Sequence, residues 1–152
     1  MSFSIQELTY SSTAINKGIS NEPDEEATKN LVTLISSCLD PIREIYGKPI
    51  YVSSGFRSDE LNRAIKGSES SQHKLGQAAD LVPAKGGSMS DLFKAAIQFG
   101  EFDQLIIEQS GQSKWIHISY SPRHRKEILA YKNGGYTDIS TTWEKYIEDI
   151  DD

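Results

Sequence analysis

The stretch Ser71-Gln72-His73-Lys74-Leu75-Gly76-Gln77-Ala78-Ala79-Asp80 constrains this chain more than any other. Ala78-Ala79-Asp80-Leu81-Val82 reads as a short buried strand leaving a turn at Gly76, and a loop holding His73 folds back over such a strand. The His73 ring and the Asp80 carboxylate then converge on one point. A second imidazole arrives in Trp115-Ile116-His117-Ile118-Ser119. Alternation there places His117 on one face with Trp115 and Ser119, and the two isoleucines on the other. Isoleucines toward the core and histidine toward a cleft is the placement that a ligand on a strand needs.

The chain has 3 histidines, and two of them lie in segments that otherwise read as core. An unpaired polar ring is costly there. Two readings follow: a hydrogen-bonded structural pair, or metal ligation. Two imidazole nitrogens, one carboxylate oxygen and an open fourth position form the usual ligand set of a catalytic zinc ion, whereas a closed structural site prefers four protein ligands, often thiolates. With 1 cysteine, the chain has no thiolate cluster and no disulfide framework. Cys38, among Leu34, Ile35 and Leu39, reads as a small buried hydrophobe. Imidazole and carboxylate suit several divalent ions, so spacing alone does not single out zinc.

Ser71, His73, Gly76, Ala78 and Asp80 spell Ser-x-His-x-x-Gly-x-Ala-x-Asp. This resembles the signature of the zinc peptidases that cut peptidoglycan stem peptides: D-Ala-D-Ala carboxypeptidases, D,D-dipeptidases and L-alanyl-D-glutamate phage endolysins. Ser53-Ser54-Gly55-Phe56-Arg57-Ser58 upstream and Trp115-Ile116-His117 downstream agree in order, so the resemblance runs from about Phe3 to about Tyr120. It implies one Zn2+ per chain on His73, Asp80 and His117, and a peptidoglycan stem peptide as partner. Relatives place an acidic general base two or three positions before the last histidine ligand, where this chain has Trp115 and Lys114. The nearest acid is Glu108, at the end of the preceding strand, with Glu69 and Asp103 as weaker candidates. Arg57, in the family's Ser-Gly-aromatic-Arg-Ser element, is the candidate for the substrate carboxylate or the developing oxyanion. Ser71 is a candidate for bonding substrate or its own loop, and Trp115 for walling the cleft or packing. His124 reads as a surface residue.

At 152 residues and 37% apolar, the chain suits one domain, 1–152. The net charge of −6 and the absence of a large basic cluster speak against nucleic acid as a partner. Arg123-His124-Arg125-Lys126 is the one basic run and reads as a solvated loop. No stretch is apolar for long enough to enter a membrane, and the first 20 residues do not resemble a signal peptide. The expectation is a monomer made in the cytosol; a phage lysis enzyme would reach the wall on release.

Residues 1–20 carry turn and cap residues and read as an irregular arm anchored by Phe3, Ile5 and Leu8. Leu31, Leu34, Ile35, Cys38, Leu39, Ile42 and Ile45 recur at three and four, predicting one long amphipathic helix that Pro41 kinks or splits and Gly47 ends. Strands are expected over 48–54, 78–82 and 103–108, the last in a hairpin with the His117 strand. Helices are expected after Ser58 and after Ser88 or Ser90. Past Pro122, a strand over 127–132 and a short acidic helix in 142–150 are separated by Gly134 and Gly135, making 134–152 a C-terminal extension. The expected fold class is α+β: a small, mainly antiparallel sheet with helices packed on one face and a zinc cleft on the other.

The resemblance implies a zinc metallopeptidase, of D-Ala-D-Ala carboxypeptidase type or, alternatively, an L-alanyl-D-glutamate endopeptidase. The missing acid before His117 keeps open a non-catalytic module that binds wall peptides, or a structural phage component.

Overall fold

The structure, a computed structural model, describes residues 2–152. Its first helices are short: α1 (Ile5–Thr9) starts on a reciprocal capping box between Ser4 and Glu7, and α2 (Ser12–Lys17) on the Ser11 hydroxyl. The expected irregular arm is therefore helical, and Ser11, one of the turn and cap residues expected there, is a cap. Phe3 and Leu8 are buried, as the pattern required.

The long apolar repeat forms α3 (Glu25–Leu34), a π-helical turn (Ile35–Leu39) and α4 (Asp40–Tyr46), ending on left-handed Gly47. Pro41 lacks the N–H that an α-helix would use, and its ring crowds the preceding turn. The widened turn absorbs this without a break. Leu31, Leu34, Ile35, Cys38, Leu39 and Ile42 are all fully buried under the sheet.

Six strands form one sheet: β1 (Ile50–Ser54), β2 (Ala78–Pro83), β3 (Gln104–Ser110), β4 (Ser113–Ser119), β5 (Glu127–Lys132) and β6 (Gly135–Asp138). Their order is β1-β2-β4-β3-β5-β6, antiparallel except for β3 beside β5. α5 (Asp59–Ala64) and a 3-10 turn (Gln72–Leu75) connect β1 to β2, and α6 (Met89–Phe99), capped by Ser88, connects β2 to β3. Ala79, Leu81, Leu105, Ile107, Ile116 and Ile118 join the helices in one core, so by alternation Asp80, Ile106, Glu108, Trp115 and His117 stand on the opposite face. The fold is α+β with helices against one face of a mainly antiparallel sheet.

Residues 134–152 are not an appendage. Asn133 and Gly134, both left-handed, turn β5 into β6, the backbone that Asn-Gly favours in tight hairpins. Ile139, Ile147 and Ile150 are buried in the core. Beyond α7 (Trp143–Tyr146), Asp151 accepts hydrogen bonds from the Ser88 hydroxyl and the Met89 N–H, closing the start of α6. Among the described residues, no helix is long and apolar enough to cross a membrane.

Candidate metal centre

Sheet register assembles the site. Asp80 on β2 is the Cα partner of His117 on β4, and His117 is the partner of Ile106 on β3. In-register neighbours share a face, so the carboxylate and imidazole meet on the open side of the sheet. His73 comes from the 3-10 turn, whose first N–H groups are capped by the Ser71 hydroxyl and whose exit is left-handed Gly76. A Cβ at Gly76 would lie 2.5 Å from the Ala27 carbonyl oxygen, so the turn seats against α3 only with glycine there.

His73 Nε2 lies 3.2 Å, and His117 Nδ1 3.1 Å, from the same atom, Asp80 Oδ1. The other His73 nitrogen, Nδ1, is 2.7 Å from the Gly55 carbonyl. That carbonyl accepts a hydrogen bond from Nδ1–H and fixes the ring with Nε2 toward Asp80, the outer support typical of a metal-ligating histidine. Gly55 is itself required: a Cβ there would run into the Leu8 carbonyl of α1. Donors about 2.0–2.2 Å from a tetrahedral zinc stand about 3.3–3.6 Å apart, slightly more than the 3.2 and 3.1 Å observed. The donor set and its spacing fit zinc.

Burial alone would raise the Asp80 pKa, but the two imidazoles, by charge and hydrogen bonding, hold its carboxyl well below the usual carboxylate range. Arg57 reaches Asp80 Oδ2 with Nη2 at 3.5 Å and donates through Nε to the Ser54 hydroxyl at 3.1 Å. Its Nη1 stands 3.5 Å from the Asn62 carbonyl oxygen, and Asn62 is buried. The guanidinium is therefore held at the rim of the ligand triangle.

Glu108 lies one row along from His117. In-register partners across four strands run Trp115, Glu108, Tyr131, Tyr136. Glu108 Oε2 accepts from the Trp115 indole N–H at 3.0 Å and stands 3.9 Å from His117 Nδ1. Burial and the Asp80 charge raise its pKa, against the opposing pull of His117, Trp115 and Arg57. A carboxylate raised in this way and standing 3.9 Å from a candidate ligand nitrogen has the attributes of a general base.

The other candidates separate clearly. Asp103 is fully buried and saturated with donors from Arg125 and Gln72, so it has no free acceptor for a reacting proton. Glu69 lies exposed on the loop before His73. Ser71 bonds its own loop through the His73 N–H. Trp115 does more than pack, because it orients Glu108. His124 is partly covered, edge-on to Tyr120. The thiol of Cys38 is fully buried and pushed far up by desolvation, in keeping with a structural role.

Residues 123–126 form the expected loop, with Arg123, Arg125 and Lys126 exposed, and the loop is anchored to the buried Asp103. Arg125 chelates Asp103 through Nε and Nη2, both at 2.9 Å, and donates its backbone N–H to Asp103 Oδ1 at 2.9 Å. Asp103 also accepts from Gln72, the residue before His73, at 2.9 Å. Arg123, Arg125, Tyr131 and Tyr136 line the same cleft as the ligand triangle, a space of about 700 Å³. The motif reading missed them because they are contributed by segments distant in sequence.

This geometry gathers three side chains that could hold a metal ion, with a flanking carboxylate, on one face of an α+β sheet. Residues 1–119 match the family model described as Peptidase M15, and the chain belongs to that family of zinc peptidases. A search of curated proteins returns no significant match.

Proposed function

We propose that this chain hydrolyses peptidoglycan stem peptides as a zinc peptidase of D-Ala-D-Ala carboxypeptidase type, acting as a single domain over residues 1–152. The observation that carries the reading is the convergence of His73, Asp80 and His117 in a cleft that also presents Glu108 and Arg57. Zinc held by those three side chains supplies Lewis acidity toward a carbonyl and toward water. Glu108 takes a proton from the attacking water and delivers it to the leaving amine, its raised pKa bringing it nearer the working pH. The Trp115 N–H fixes the carboxylate oxygen Oε2. Arg57, steadied by Ser54 and Asn62, is aimed where negative charge grows on the carbonyl oxygen. Carboxypeptidase specificity is supported by the cationic side chains of the cleft, in a chain of net charge −6.

A second reading, L-alanyl-D-glutamate endopeptidase, has its own support. The cleft continues along β3 on both sides of the ligands, past Gln104 one way and past Glu108 to Tyr131 and Tyr136 the other. That leaves room for residues on each side of a scissile bond. A binding module without catalysis has less support, because Glu108 offers a carboxylate in the same cleft, 3.9 Å from His117.

The test is a digest of a synthetic stem pentapeptide, L-Ala-γ-D-Glu-L-Lys-D-Ala-D-Ala, by the zinc-loaded protein, read by product mass. Loss of one alanine supports the carboxypeptidase, and a cut after L-alanine the endopeptidase. No product from either bond contradicts both. Glu108→Gln is expected to keep its zinc and lose about 10²–10⁴ in kcat.

A further inference from the structure

The cations at the Asp103 end of the cleft are not equivalent. Arg125 is spent: two of its side-chain nitrogens chelate Asp103, and Nη1 lies 3.3 Å from Glu127. Arg123 is not. Its side chain is 59% exposed, and its Nη2 stands 3.7 Å from Asp103 Oδ2, beyond hydrogen-bonding distance. The acceptor capacity of Asp103 is already taken by Arg125 and Gln72. Arg123 is thus drawn toward a buried negative charge while its own donors stay open to the cleft.

The loop that presents it is held in an unusual shape. His124 and Lys126 both have positive φ, 40° and 56°, a region that residues with a Cβ seldom enter. The backbone bond from Arg125 to Asp103, and another from Glu127 N–H to the Asp103 carbonyl at 3.0 Å, pin this shape. Strand β3 supplies a ruler: Ile106 is level with His117, and Asp103 lies three residues before it, about 10 Å at 3.3 Å per residue. One or two residues of extended peptide plus one hydrogen bond cover that distance. Arg123 also lies outside residues 1–119, so the family match does not carry it.

We propose that Arg123 is a carboxylate-binding residue of the cleft, taking the free carboxylate of a peptide one or two residues from the scissile bond. This rests on the peptidase reading for its substrate class, and the carboxypeptidase type would place the terminal carboxylate there. Asp103, by fixing the loop, positions Arg123 without touching the ligand.

The experiment is a titration of the zinc-loaded, ¹⁵N-labelled protein with N-acetyl-D-alanine, and with N-acetyl-D-alanine amide as the uncharged control. The Arg123 Nε–H signal is assigned by its loss in Arg123→Gln. A saturable Arg123 shift with the acid and none with the amide is expected. In Arg123→Gln, affinity for the acid should fall about tenfold or more, the scale of a lost hydrogen bond to a charged group. Shifts confined to Arg57 and His117, or equal affinity in Arg123→Gln, overturn the proposal. The two readings separate cleanly. A protein that cleaves no stem peptide yet shows the Arg123 shift loses the peptidase reading and keeps this subsite. One that cleaves but shows no shift does the reverse.

Discussion

Asp103→Asn should unfold this protein more easily than any change at the exposed face of the cleft. The carboxylate is fully buried and accepts four hydrogen bonds, three from Arg125 and one from Gln72. Asparagine keeps one acceptor oxygen but turns an NH₂ group toward donors. Breaking a buried ion pair from one side costs about 3–5 kcal/mol. Arg125 is one-third exposed and retains Glu127, so water and that partner recover part of the loss. We expect about 2–4 kcal/mol, or a fall in Tm of roughly 5–15 °C for a chain of this size. Circular dichroism during heating and urea titration both measure it.

Acid dependence gives a second readout on the same variant. Burial works to raise the Asp103 pKa, but hydrogen bonds from Arg125 and Gln72 prevail and hold it well below the usual carboxylate range. A depressed folded-state pKa contributes stability that is present above the unfolded value, near 4, and is lost as pH falls toward the folded value. The wild type should therefore weaken below about pH 4, and Asp103→Asn should show a shallower slope, with Asp80 supplying the remainder. A variant within about 1 °C of wild-type Tm, with the same acid slope, would refute the reasoning.

Trp115→Phe removes the N–H that favours ionised Glu108, so the acid limb of the kcat/KM profile should move to higher pH; an unmoved limb separates Trp115 from the base. Gly76→Ala forces a Cβ into the left-handed region at φ +73° and against the Ala27 carbonyl. It should cost at least about 1–2 kcal/mol in urea unfolding and weaken zinc binding through the displaced His73 turn.

The three side chains of the candidate metal centre were legible for a local reason: His73 and Asp80 lie on one turn-to-strand unit, and His117 on a strand of clean alternation. The apolar repeat from Leu31 to Ile45 likewise showed the helical layer. The wall of the cleft was hidden because register built it. Nothing in the sequence of Tyr131 or Tyr136 says that they continue the row of Glu108 across two more strands. The loop over 123–126 is exposed as its four polar residues imply, but its anchor, the buried Asp103, lies twenty residues or more upstream and no local pattern shows it. Asn133-Gly134 is a local signal of the β5–β6 turn, since that pair favours tight hairpins.

Zinc content tests the central claim most directly. Purified protein loaded with zinc, desalted and analysed by elemental mass spectrometry should hold about one ion per chain, one open site being formed by three ligands. His73→Ala, Asp80→Ala and His117→Ala should each lose it while remaining folded by circular dichroism. A wild type that holds no zinc, or folded variants that keep it at full stoichiometry, would contradict the account.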